Sequence, residues 1–414
     1  MELDFSLAFD AAADDEFFSG LPSKPAVCLV ELIDLNAEPL LIRTQDLRRR
    51  LQRLLGPPDP ASKRLNLRAL ARGVKYRPVG STFEQSLTYY QHAKKLFPQR
   101  YRDLLRMRPP AVLKVSLRNA YPRCYVTRHI SVDSSGTPTA GSYYGPFPSR
   151  GAALAFANRA LDFFKMRRCQ IKIRRDPTFP GCLYSEMKMC LAPCFAGCSK
   201  EEYDAEVERF VKFLESSGES LRATFESERE RASEDLDFER AATLHKKVEK
   251  LDEVLRGRPD LARRIQALDA VILQRGVGEQ VIAAYRVQSG RLCEPFFLPF
   301  GEIASQPRSA EQIFRNYLDP AIDSVGARQL PTTSPNASPN GAEQPGTLRV
   351  IENVLLAKGE LSEHLWLVAR WFYSNPRTGE IFFREKNDWP YRRILRACSR
   401  LLAPLEPPKE ASAK

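Results

Sequence analysis

Apolar and polar positions alternate, then change period, in blocks that predict strands and helices in turn. PAVCLVELID (from Pro25) and PLLIRT (from Pro39) read as strands joined by the turn LNAEP. The period then lengthens: Leu47, Leu51, Leu54 and Leu55 share one helical face, with Arg48, Arg49, Arg50 and Arg53 around it. GPPDP ends that helix, and the short basic segment KRLNLRALARGVKYRPV follows. A second helix is predicted from about Thr82 to Leu96, where Pro98 stops it. Residues 1–24 show no period and predict a loose tail.

Residues 110–148 read as a small antiparallel sheet (VLKVSL, YPRCYVTRHI and the turn DSSGTP) that closes on SYYGPFPS, and a helix from about Arg150 to Lys165 follows. After Cys198 the pattern is helical. Ser199 to Glu202 forms a capping box, and Tyr203, Val207, Phe210, Val211 and Leu214 make an apolar stripe. SSGES interrupts it. A further helical stretch to about Leu255 places Phe238, Ala241, Leu244, Val248, Leu251 and Val254 on one face, the period of a helical hairpin. Strands return in LDAVILQRG, EQVIAAYRVQSG and RLCEPFFLPF, then a short helix (SAEQIFRNYL). The Pro-, Ser- and Asn-rich run PTTSPNASPNGAEQPG is a low-complexity linker. ENVLLA and EIFFRE read as strands, Trp366–Trp371 and Tyr391–Leu402 as helices. The pattern as a whole predicts an α+β chain.

Charge changes the picture. The net charge is +12, unevenly spread: 21 Lys or Arg against four acids from Arg43 to Arg128, and 17 acids against 11 bases from Lys200 to Arg256. A basic half carrying aromatic residues suits a polyanion, and the residues expected to track DNA phosphates are Arg48, Arg49, Arg50, Arg53, Lys94 and Lys95. No apolar run reaches the length of a membrane span, and the acidic N-terminus reads as neither a secretory signal nor a transit peptide. A cytoplasmic protein without a membrane partner is expected.

The densest chemistry lies between Cys169 and Cys198, where five of the nine cysteines follow the spacing Cys-x12-Cys-x7-Cys-x3-Cys-x3-Cys. Pro177, Pro180, Gly181, Pro193 and Gly197 bend the strip so that its sulfurs could converge. Disulfides do not suit a reduced compartment. Buried core thiols are the plain alternative. The spacings lack paired CxxC knuckles, which favours an iron–sulfur cluster over zinc. Cys28, Cys124, Cys293 and Cys398 read as core residues, and His92, His129, His245 and His364 as surface or core histidines without ligand partners.

Four segments in shared order resemble the UvrC family of the bacterial UvrABC excinuclease: YPRCYVTRHI…YYGPF, CLYSEMKMCLAPC, DFERAATLHKKVEKL and LDAVILQ…VIAAYRVQSGRL. The resemblance implies that Cys169, Cys182, Cys190 and Cys194 hold a 4Fe-4S cluster, with zinc as the alternative. It also implies that Asp237 to Leu251 is a UVR hairpin, docking onto UvrB or a similar protein through Phe238, Ala241, Leu244 and Val248. The family frame ends at Cys194, leaving Cys198 as a bystander or a replacement ligand.

The resemblance further implies a GIY-YIG nuclease domain, whose chemistry needs two tyrosines, basic residues and a metal-binding glutamate. Those positions read Ala26-Val27-Cys28 and Leu40-Leu41-Ile42. Arg43 stands at a lysine position and Arg50 keeps the arginine; the glutamate position falls on Tyr89 unless Glu84 takes it over. The family's RNase H-like nuclease and helix–hairpin–helix tail find no counterpart in the sequence. The expected organisation is a tail (1–24), a degenerate GIY-YIG-like domain (25–108) and a small sheet with the cysteine-rich segment (109–200). A UVR-type hairpin (201–257), family-homology strands (258–326), a linker (327–347) and a C-terminal α+β segment (348–414) complete it. The expected function is non-catalytic DNA binding in nucleotide excision repair. The alternatives are a metal-dependent endonuclease, with Glu84 and Arg50 retained, and a redox- or metal-responsive adaptor without a DNA role.

Overall fold

The computed structural model describes residues 1–58, 61, 64–301, 309–319 and 361–403. The expected linker and the ENVLLA strand lie outside these. The fold is α+β, with three antiparallel sheets each covered by helices.

The first sheet has the order β1 (Phe5–Ala8), β4 (Ala71–Pro78), β2 (Ala26–Leu32), β3 (Leu40–Thr44). Strand β2 is buried on both faces: Ala26, Cys28 and Val30 point one way, Val27 and Leu29 the other. On the first side lies α2 (Leu47–Leu55), whose four leucines pack beneath Cys28, Val30 and Tyr76. On the second lies α3 (Thr82–Leu96), contributing Phe83, Leu87 and Tyr90. Asp46 and Ser81 cap the two helices through the N–H groups of Arg49 and Glu84.

Two expectations are corrected here. Residues 1–24 are not a loose tail: β1 pairs with β4, and α1 (Asp14–Ser19) buries Phe17 and Phe18 against Leu21. The basic run before α3 contains β4, the strand that joins β1 to β2. Its alternation is hidden by Arg72 and Lys75, which pair with Glu31, and by Arg77, which pairs with Asp4.

The second sheet follows the short α4 (Tyr101–Leu104) and has the order β6 (Cys124–Thr127), β5 (Ala111–Val115), β7 (Ser142–Phe147), β8 (Arg263–Arg264). Helix α5 (Arg150–Leu161) covers it, and the turn α6 (Leu183–Glu186) stands in the cysteine segment. Helix α7 (Lys200–Glu215) packs its Tyr203–Leu214 stripe into the same core. The hairpin is α8 (Glu219–Glu234) against α9 (Phe238–Arg256). Gly218, at φ +94°, makes the turn from α7 to α8, where a Cβ would strike Leu255 at 2.5 Å.

The third sheet runs β11 (Arg291–Leu292), β10 (Val281–Gln288), β9 (Ala270–Arg275), β13 (Glu380–Phe383), with β12 (Phe296–Pro299) also on β10. Strand β13 thus zips residues beyond the linker onto β9, so the segments expected as 258–326 and 348–414 form one unit. Helices α10 (Ala310–Leu318) and α12 (Tyr391–Leu402) cover one face. Helix α11 (Leu361–Phe372) covers the other, and there its core merges with that of α3. Gly80 touches this unit so closely that a Cβ would meet the Gly276 backbone at 2.3 Å.

Candidate metal centre and nucleic-acid interface

From Met166 to Ser199 the chain has only α6 and a 310 turn, and tertiary contacts shape it. Arg167, 6% exposed, runs beneath the strip. Its guanidinium donates to the carbonyls of Tyr121 (2.9 Å), Cys169 (3.3 Å) and Ile171 (3.0 Å) and lies 3.9 Å from Cys169 Sγ. The Tyr203 hydroxyl accepts from the Arg167 N–H and donates to the Pro122 carbonyl at 2.7 Å. The Asp176 N–H donates to the Cys194 carbonyl, folding the strip back on itself. Lys188, Ala192 and Ala196 adopt left-handed φ of 55°, 53° and 62°, which winds the chain tightly around Cys190 and Cys194.

Cys190 lies within electrostatic reach of Cys169, Cys182 and Cys194, and Cys194 within reach of Cys169 and Cys182. Burial pushes the Cys190 thiol up to about 11; the Ala192 N–H, 3.3 Å from its sulfur, opposes, and the other three thiols add to the rise. Cys194 is raised by burial first, with Cys182 and Cys169 adding. Cys198 is raised by burial and sits in the core beneath α7. Among the described residues, no group of three or more His, Cys, Asp or Glu stands close enough to hold a single metal ion. One zinc needs its sulfurs at about 2.3 Å from a common point, hence within about 4 Å of each other. A polynuclear cluster takes its cysteines around a wider body, and N–H donors to its sulfurs tune it. The Ala192 N–H at the Cys190 sulfur and the Arg167 guanidinium at the Cys169 sulfur are donors of that kind. Cys28, Cys124 and Cys398 are buried core residues, whereas Cys293 is half-exposed.

The residues expected to track DNA do not form one surface. Helices α2 and α3 lie on opposite sides of the first sheet, which separates Arg49, Arg50 and Arg53 from Lys95. Arg48 is committed inward, donating to the carbonyls of Leu21 (2.7 Å) and Ser19 (3.1 Å). Lys94 is paired with Glu363 of α11 at 3.1 Å. Arg49, Arg50, Arg53 and Lys95 remain exposed. Sequence periodicity showed which residues surround a helix, not which side of a sheet the helix covers.

Glu363, 4% exposed, is the hub of a buried network that the sequence did not suggest. Its carboxylate accepts from the Tyr90 and Tyr101 hydroxyls, both at 2.6 Å, and from Arg102 at 2.7 Å. Burial alone would raise its pKa, but the Tyr101, Tyr90 and Arg102 hydrogen bonds and the Lys94 charge outweigh it and bring it down to about 2.

Of the candidate nuclease positions, Glu84 is fully buried. Its carboxylate accepts from the Gly80 N–H at 2.8 Å and lies 3.6 Å from Arg77; burial raises its pKa, with Gly80 and Arg77 opposing. Tyr89 lies under the Arg43 guanidinium, 5.4 Å from its ring centre. Arg50 stands on the opposite layer.

The hairpin also departs from expectation. Leu244 and Val248 are buried with Leu251 and Val254 in the core, and Ala241 packs against it, so these do not present a docking face. The exposed apolar residues are Leu236 (72%) and Phe238 (67%), at the tip where the chain turns. An apolar stripe at helical spacing carries no mark of whether the chain's own neighbours already cover it.

Residues 111–213 match the family model of the UvrC/Cho excinuclease middle domain. The UvrABC system protein C of Carboxydothermus hydrogenoformans is 29% identical over 280 residues, 67% of this chain and 44% of that protein. The Pseudomonas aeruginosa protein of the same name is 30% identical over 291 residues, 70% of this chain and 43% of its own. That of Chlamydia abortus is 27% identical over 292 residues, 69% and 47% respectively. The chain thus spans less than half the length of these relatives. No solved structure matches. With a matched middle domain and a similarity running over about two thirds of its length, the chain belongs to the UvrC family.

Proposed function

We propose that this protein is a non-cutting DNA-binding scaffold of nucleotide excision repair. The observation that carries the loss of cutting is Glu84. Its carboxylate is enclosed by Gly80, Arg77 and the joined core of two units, where it cannot meet a phosphate from solvent. Ala26-Val27-Cys28 and Leu40-Leu41-Ile42 occupy the tyrosine stretches, so no phenol is present there to activate water. Arg49, Arg50 and Arg53, exposed on α2, contact duplex phosphates. Phe238 at the hairpin tip docks onto UvrB or a protein offering a similar helix pair, and charge favours a basic partner surface. Cys169, Cys182, Cys190 and Cys194 hold an iron–sulfur cluster that fixes the strip between the second sheet and α7. When bound, such a cluster supplies electron transfer or a rigid anchor.

A plasmid-nicking assay with magnesium or manganese, run beside a gel shift with duplex DNA, tests the reading. The expected result is salt-sensitive binding without cutting, by the natural chain and by Glu84→Gln alike. Nicking that disappears in Glu84→Gln would restore the nuclease. Failure to bind DNA at low salt would remove the repair role.

A further inference from the structure

Gln274 on β9 is 1% exposed, and its side-chain amide is only half satisfied. The nitrogen donates to the Thr378 carbonyl at 3.2 Å, while the oxygen, Oε1, has no hydrogen-bond partner. A buried acceptor left in this way costs stability, so it points to a donor that the chain itself does not supply. Gly379, at φ +84°, packs so closely here that a Cβ would strike Gln274 Cγ at 2.8 Å, which holds the amide in place.

Gln274 lines a cavity of about 560 Å³ at the joint of the first and third units. Ser81 and Gln85 line it from the α3 side, and Gln45 and Thr82 are exposed at its mouth. Pro25 and Leu401 add apolar surface, and among the described residues no acidic or aromatic side chain lines it. Its two arginines are engaged. Arg400 holds Glu380 at 2.7 Å, and Arg275 donates to the carbonyls of Leu402 (3.1 Å) and Ala403 (3.2 Å). The cavity therefore offers amides and hydroxyls, and suits an uncharged planar group with donors and acceptors along one edge.

From this arrangement we infer that the cavity binds a single nucleobase, whose N–H edge donates to Gln274 Oε1. Glutamine amides read base edges in this way, and a base taken out of a helix is held by edge hydrogen bonds between apolar surfaces. Gln45 at the mouth is followed by Asp46, the cap of α2, so the cavity opens at the end of the first sheet where the arginine-bearing helix starts. The inference rests on the DNA-binding reading above and deepens it: α2 holds the duplex, and the cavity takes a base extruded from it.

A short duplex carrying one central 2-aminopurine, either paired with thymine or facing an abasic-site analogue, tests this with the full chain. That base fluoresces once it leaves the stack, and no aromatic residue lines the cavity to quench it. Binding should raise the fluorescence severalfold, and the unpaired duplex should bind about tenfold more tightly, because its base costs less to extrude. Gln274→Leu and Thr82→Trp should each abolish both effects, while binding of the fully paired duplex changes less than about twofold. Gln274→Leu should melt no lower than the natural chain, since Thr378 keeps its bond from Trp371 Nε1 (2.8 Å) and the orphaned oxygen is gone. If it melts lower, Thr82→Trp decides. No fluorescence gain with the natural chain, or a gain kept in both variants, overturns the inference. Binding of free 2-aminopurine riboside that both variants lose, with no advantage for the unpaired duplex, keeps the ligand and overturns its extrusion from DNA. A natural chain that binds duplex and takes up neither form of the base removes this site and leaves the repair reading standing; one that binds neither duplex nor riboside removes both.

Discussion

Glu363 accepts a hydrogen bond from the Tyr101 hydroxyl at 2.6 Å across 262 positions of sequence. With Tyr90, Lys94 and Arg102 this carboxylate ties the helices that follow the first sheet to α11 on the third. Two units that share the core between α3 and α11 are thereby also joined by one satisfied buried charge.

Breaking that joint should be costly. Glu363→Gln leaves Lys94 and Arg102 without their counter-charge and offers only one acceptor oxygen to two hydroxyls. Arg102 is largely exposed and keeps its hydration, so the expected loss is about 2–3 kcal/mol, less than for a fully buried pair. Denaturant unfolding checks it; a loss below about 0.5 kcal/mol would show that the apolar core alone holds the units together.

Acid should loosen the same joint in two steps. Burial first, then the charges of Lys94 and Arg291, push His364 from 6.5 down to about 4, against the opposing charge of Glu363. Its neutral form is favoured by folding, so that stability is complete above pH 6.5 and is lost as pH falls toward 4. The shift corresponds to about 3 kcal/mol. Glu363, brought from 4.5 down to about 2, continues the loss between those values. The melting temperature should fall steadily below pH 6.5, and His364→Gln should flatten the first window. An unchanged slope in that variant would exclude His364 as the cause.

In the hairpin, stability and docking should separate. Leu244→Ala empties a fully packed position and should cost about 2–5 kcal/mol. Phe238→Ala removes an exposed ring and should change stability by less than about 0.5 kcal/mol, while abolishing capture by a UvrB-like hairpin. If Phe238→Ala binds such a partner normally, the tip is not the contact.

For the cysteine strip, anaerobically purified protein should show a broad absorption near about 400 nm together with iron and sulfide. Cys190→Ser should lose most of the iron; Cys198→Ser, whose thiol lies in the core below α7, should retain it. A colourless sample containing zinc would overturn the cluster, and equal iron in both variants would overturn the choice of ligands.

The family, most helices and strands, and the concentration of cysteines were legible in the sequence, because each rests on local order: period, caps and turn residues within a few positions. The α2 and α3 helices run over the residues their periods indicated, and the Ser199 capping box forms as its spacing requires. What periodicity could not give is which neighbour covers a face. Leu244 and Val248 looked available until the core beneath α9 claimed them, and the arginines of α2 were separated from Lys95 by a sheet that neither helix encodes alone. The pairing of β13 with β9, the burial of Glu84 and the convergence on Glu363 depend on closed interfaces or on residues as far as 273 positions apart. Such contacts form only when whole units meet, so tertiary packing decided which charged groups were spent inside and which were left for a partner.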